Sequence, residues 1–123
     1  MAKKALIFYG GWEGHEPELT SKRFARILEG HGYEVDREPT LDCLTDADRM
    51  ATYDLIVPVY TQSEITKEQE TGLLNAVKAG AGLAGWHGGM GDAFRKSTEY
   101  QFACGGQWVA HPGNIIDYTV NIT

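Results

Sequence analysis

The chain has 123 residues, 42% of them hydrophobic and 11% aromatic, which suits one compact domain with a real core and argues against two. A formal net charge of -6, spread along the sequence, gives no electrostatic footprint for nucleic acid or for an anionic membrane surface. No run is apolar for long enough to span a bilayer, Met1-Ala2-Lys3-Lys4 lacks the features of a signal peptide, and Cys43 and Cys104 match no metal or redox spacing. These features predict a cytoplasmic protein with free thiols, without nucleic-acid or membrane partners.

In chain order, Ala5-Leu6-Ile7-Phe8-Tyr9 reads as a buried strand closed by Gly10-Gly11. The loop that follows, Gly10 to Pro17, contains Trp12, His15 and Glu16 and is rich in groups able to touch a ligand. Pro17 opens a helix whose Phe24, Ile27 and Leu28 recur at helical spacing, and Gly30 or Gly32 ends it beside His31, which reads as structural. Tyr33 to Glu38 alternates ahead of Pro39 and reads as a strand near a sheet edge. Asp46 caps a short helical piece through Met50.

Asp54 to Tyr60 reads as a third strand, in which Pro58 should weaken or terminate pairing because it has no donor for the ladder. Thr61-Gln62-Ser63-Glu64 then falls at that strand's C-terminal edge. Thr66-Lys67-Glu68-Gln69 has capping-box spacing; Leu73, Leu74 and Val77 give the ensuing helix its apolar stripe, and Gly80 closes it. Leu83 to His87 is read as the fourth strand, ending in a histidine and glycines at the mouth of a crevice. Asp92 is placed as the cap of a helix carrying Phe94, Tyr100 and Phe102, and Ile115 to Ile122 alternates like a last strand with one wet face.

Strands alternating with helices predict an α/β sandwich with a mostly parallel sheet, whose ligands bind outside the strands' carboxyl ends. Three loops should therefore converge: Trp12 to His15, Gln62 to Glu64, and His87 to Asp92. Because no covering helix follows the last run, the expectation is a single domain over residues 1–123 that lacks a C-terminal portion. The exposed final strand also suggests a homo-oligomer. Gly80 to Gly85 satisfies the dinucleotide fingerprint as text, but it follows a helix and enters a strand, the reverse of what that site needs. Cys104 has no strand end behind it and reads as a small buried thiol.

The runs Thr66-Lys67-Glu68-Gln69 to Gly80-Ala81-Gly82-Leu83-Ala84-Gly85-Trp86-His87-Gly88-Gly89, and Gly105-Gly106-Gln107-Trp108-Val109-Ala110-His111-Pro112-Gly113, resemble the trehalose-utilisation (ThuA-like) family. The first strand with its glycine and histidine loop matches as well. That resemblance implies the flavodoxin-like three-layer sandwich of the class I glutamine amidotransferase-like superfamily. Family members usually continue past the strand at which this chain ends. Amidotransferases of the superfamily place a nucleophilic cysteine where this sequence has His87. An imidazole cannot form the thioester of glutamine hydrolysis, so glutaminase activity is not expected.

Three roles stay open for His87. It can act as general acid or base on a sugar hydroxyl or keto group, or as a ligand of a divalent metal with His111 and His15. It can equally be a turn histidine bonded to backbone. His111, extended ahead of Pro112, is its catalytic or metal-binding companion, or a histidine that stabilises its loop. Trp12, His15, Trp86, Gly88 and Gly89 are candidates for binding the substrate, the tryptophans through flat faces offered to a sugar ring or else as core residues. The resemblance alone supplies the substrate class, a small carbohydrate such as trehalose or a keto-sugar. A paired His87 would favour an enzyme, and an unpaired, solvent-facing His87 a non-catalytic sugar-binding or regulatory domain.

Overall fold

A computed structural model describes residues 1–106 and 108–123; Gln107, part of the second run quoted above, lies outside the described residues. Its central element is β1, Lys3–Gly11, whose Ala5, Leu6, Ile7 and Phe8 are fully buried. A run apolar at every position is what a strand covered on both faces requires, and β1 has neighbours on both edges. β2 (Tyr33–Glu38) pairs with it on one side and β3 (Leu55–Thr61) on the other, and β4 (Gly82–Leu83) follows β3. All pairings are parallel and the order is β2-β1-β3-β4. This matches the first four strands of a flavodoxin-like sheet, with β2 at the predicted edge.

The period of two along the strands divides the core. Leu6, Phe8 and Ile56 point to one face, where they meet Leu44, Leu73, Phe94 and Tyr100. Ile7, Val57 and Val59 point to the other, against Ala25 of α1 (Pro17–Gly30). Removing each of the larger side chains from water contributes about 1.5–3 kcal/mol. Pro17 takes the first turn of α1, Asp46 caps α2 (Ala47–Met50), and Thr66 with Gln69 forms the reciprocal capping box of α3 (Lys67–Ala79). No helix among the described residues is long and apolar enough to cross a membrane.

Pro58 acts on one edge of its strand. The register with β1 continues through Phe8 opposite Pro58 to Gly11 opposite Thr61, so pairing on that side is not terminated. On the other side, Gly82 N–H donates to the Asp54 carbonyl and Ala84 N–H to the Ile56 carbonyl. Even-numbered groups of β3 therefore face β4, and the next donor in that ladder would be the N–H that Pro58 lacks. β4 accordingly stops at Leu83, four residues short of the expected end. Ala84 to Trp86 leave the sheet, and His87–Gly91 forms a wide π-type turn in which Gly91 N–H donates to the Trp86 carbonyl.

Three further expectations are corrected. Asp92 closes the π-type turn instead of capping a helix; α4 is Thr98–Cys104, and Ser97 caps it by accepting from Tyr100 N–H. Phe94 is buried ahead of α4, whereas Phe102 on it is 82% exposed. Ile115 to Ile122 is not a strand: its apolar residues lie at the surface, with Ile115 and Ile122 almost wholly exposed. Alternation makes a strand only where an edge is available for pairing, and β4 offers two residues.

Glu70 of α3, buried at the helix surface, ties it to α4 by accepting from Ser97 Oγ and pairing with Lys67. Lys67 first, then Ser97, hold its carboxyl below the usual range. A depressed folded pKa stabilises the fold above the unfolded value, and that contribution is lost as pH falls through the folded one. Glu70→Gln should flatten the wild-type loss of stability between roughly pH 5 and 3, followed by urea melts; an unaltered slope would show that the tie is inert. Pro58→Val should restore the missing ladder donor, a bond of about 0.5–1.5 kcal/mol, and extend β4. Strand-type backbone chemical shifts at Ala84 and Gly85 are the expected sign, and wild-type shifts there would refute proline as the terminator.

Candidate functional site

The three predicted loops meet at the carboxyl ends of β1 and β3, and Thr61, the last residue of β3, joins them. Its carbonyl accepts from Trp12 N–H at 3.0 Å, and its side chain, 1% exposed, makes two further bonds. The hydroxyl donates to the Gly88 carbonyl at 2.7 Å and lies 3.0 Å from His15 Nδ1. A hydroxyl has one hydrogen. With that hydrogen committed to Gly88, His15 Nδ1 must be the donor to Thr61, which leaves the Nε2 lone pair of the neutral ring free as an acceptor. Gln62 and Ser63 N–H donate to the carbonyls of Asp92 and Ala93, completing the junction between the second and third loops.

Glycines let these segments approach. At Gly11, φ is +79° and a Cβ would stand 2.1 Å from the Thr61 carbonyl oxygen, so a side chain there would break the contact to Trp12. At Gly89 a Cβ would come within 2.9 Å of the Pro58 carbonyl and 3.0 Å of Val59 Cα, both backbone atoms. Gly88 lies against the His15 ring, 3.0 Å from where its own Cβ would be. These approaches give Gly88 and Gly89 a definite packing role in the turn. Glu16 and Gln62, which flank the junction, adopt left-handed φ of 48° and 55°, a cost that non-glycine residues bear where the surroundings impose it.

The histidines form a row with His87 in the middle. Its ring centre is 6.3 Å from that of His15 and 6.2 Å from that of His111. His15 is half-buried, His87 and His111 are exposed, and His87 has no hydrogen-bond partner among the described residues. Trp12, half exposed, meets the His15 ring edge-on at 4.7 Å. Trp86 instead stacks on Phe24 of α1 at 4.2 Å, so one of its faces is occupied by the core. A cavity of about 400 Å³ opens on the side of His87 bounded by Trp86, Met90, Cys104 and Trp108. Neither His15 nor His111 lines it.

No group of three or more His, Cys, Asp or Glu among the described residues converges in the manner of a metal centre. Both cysteines are free, and burial pushes the Cys43 thiol up to about 11 and raises that of Cys104. Burial thus disfavours the thiolate at both, which does not suit nucleophilic attack. The chemistry on offer is that of an oriented imidazole beside an accessible one.

Thr61 and the orientation of His15 were absent from the candidates drawn from sequence. Their signal was available in outline, because Thr61-Gln62-Ser63-Glu64 already fell at a strand's C-terminal edge. A threonine there is commonplace, however, and only the fold shows which carbonyl takes its hydrogen.

A family model described as trehalose utilisation (ThuA) matches residues 4–123. The crystal structure of a ThuA-like protein from Bacteroides uniformis is similar over 84% of this chain, at 21% identity and a TM-score of 0.61. The chain spans 42% of the length of that protein. No curated protein matches it.

Thr61→Val keeps the shape of the side chain but strands the Gly88 carbonyl and the His15 Nδ1–H. Stability should fall by about 1–3 kcal/mol in urea unfolding, with Thr61→Ser close to wild type. Loss in Thr61→Ser with Thr61→Val close to wild type would mean that the methyl group, and not the hydroxyl, matters.

Proposed function

This chain belongs to the ThuA, trehalose utilisation, family, and from that premise we propose that it acts on a small carbohydrate, trehalose or a keto-sugar, by acid and base catalysis at the neighbouring His15 and His87. The observation that carries the reading is the bond from His15 Nδ1 to a Thr61 hydroxyl already committed to Gly88. A base held through one nitrogen by a third group, with its other nitrogen left free as an acceptor, is the arrangement by which imidazoles are readied for proton transfer. In this reading His15 Nε2 accepts a proton from a sugar hydroxyl, and His87, 6.3 Å away ring to ring, attends the neighbouring oxygen as proton donor or hydrogen-bond partner. His111 closes the far end of the row, and Trp12 offers its exposed face to the sugar ring.

A second reading draws on a different observation. His87 is solvent-facing and unpaired among the described residues, the state set out above as favouring a sugar-binding or regulatory domain that uses the same histidines without turnover.

The two readings part in one experiment, in which trehalose and a panel of keto-disaccharides are titrated calorimetrically and followed for conversion with wild type, His15→Ala and His87→Ala. The acid–base reading expects conversion by wild type and a loss of about 10²–10⁴-fold in each variant, with binding weakened far less. Saturable binding without conversion would establish the second reading. Absence of binding by every sugar would overturn both.

A further inference from the structure

His111 belongs to a stretch that the core barely holds. Among the described residues from Gly105 to Thr123, Trp108 alone is partly buried and all others are exposed. Among the described residues of this stretch, Trp108 is the one partly buried side chain that touches the His111 ring. The Trp108 ring lies under the Arg95 guanidinium, whose carbon is 3.7 Å from the ring centre, a close cation–π contact. Arg95 is in turn fixed by Asp92, which is 1% exposed and takes both Nε and Nη2 of the guanidinium on its two carboxylate oxygens. Asp92 is itself tied to the site, since its carbonyl accepts from Gln62 N–H just beyond Thr61. Trp108 also meets the His111 ring edge-on at 5.0 Å.

We propose that Arg95 and Trp108 are positioning residues that set His111 at the end of the histidine row, with buried Asp92 as their fixed point. The bidentate pair removes the guanidinium's freedom to rotate, so its flat face is presented in one orientation. That face fits an indole, and the indole carries His111 to within 6.2 Å of His87. The functional weight of His111 rests on the sugar-acting reading above; its placement by Trp108 does not.

Arg95→Met would leave the buried Asp92 carboxylate unpaired and risks unfolding the protein, so the decisive variant is Trp108→Leu, which spares that pair. The readout is the set of histidine ring resonances in long-range proton–nitrogen NMR spectra of the whole chain. Trp108→Leu should move the His111 resonances toward solvent-exposed values, with a smaller shift at its ring neighbour His87 and none at His15, while Trp108→Phe restores much of the wild-type position. In sugar titrations the same variant should lose roughly 3- to 30-fold in affinity. Unchanged His111 resonances in Trp108→Leu would overturn the proposal, as would a shift shared by all three histidines, which would indicate general loosening. If wild type binds no sugar while the His111 shift still depends on Trp108, the anchor stands and the sugar-acting reading falls.

Discussion

A single hydroxyl hydrogen cannot be donated twice, and the site depends on that limit. Thr61 Oγ1 gives its hydrogen to the Gly88 carbonyl and must accept from His15 Nδ1. The bond to Gly88 fixes the turn that presents His87; the bond from His15 fixes which ring nitrogen keeps a free lone pair. Because Thr61 is the final residue of a strand paired along its length with the central strand, both consequences inherit the rigidity of the sheet. A half-buried loop histidine thereby gains an orientation that its own loop would not confer.

The strands end where this junction needs them to. Pro58 leaves the β1 side of β3 intact and denies the β4 side its next donor, so the chain departs the sheet after Leu83 and turns through His87–Gly91. Gly89 fits against the β3 backbone because it lacks a side chain, and Trp86 is drawn to Phe24 on the opposite layer. The same segment thus anchors to the core at Trp86 and exposes His87 one residue later. Across the crevice, Tyr100 donates to the Met90 carbonyl at 2.8 Å and holds the end of the turn against α4.

Much of this order was legible in the residues. The apolar run of β1, the alternation of Tyr33–Glu38, proline at the start of α1 and the Thr66–Gln69 box are local signals, and each specifies its element without reference to distant chain. Where a signal depends on a partner, the reading diverged. Pro58 affects only the edge its nitrogen faces, which no linear pattern reveals. Asp92 resembles a helix cap until Arg95, three residues on, takes both of its oxygens. Ile115 to Ile122 has the alternation of a strand but meets no edge to extend. The histidines and glycines of the site were legible as types in the right loops; the hydrogen bond that orients His15 and the indole that places His111 were not, since both arise from side chains remote in sequence.

Family membership and fold place this chain among ThuA-like proteins, and the chemistry proposed for it hangs on the state of one ring. The most direct measurement is the tautomer of His15 in long-range proton–nitrogen NMR spectra of the wild-type chain, recorded near pH ~8, where unperturbed imidazoles are neutral. The account predicts a protonated Nδ1 and a bare Nε2 on His15. A proton on Nε2 instead would mean that Thr61 donates to His15 and not to Gly88, and the oriented base at the centre of the account would not exist.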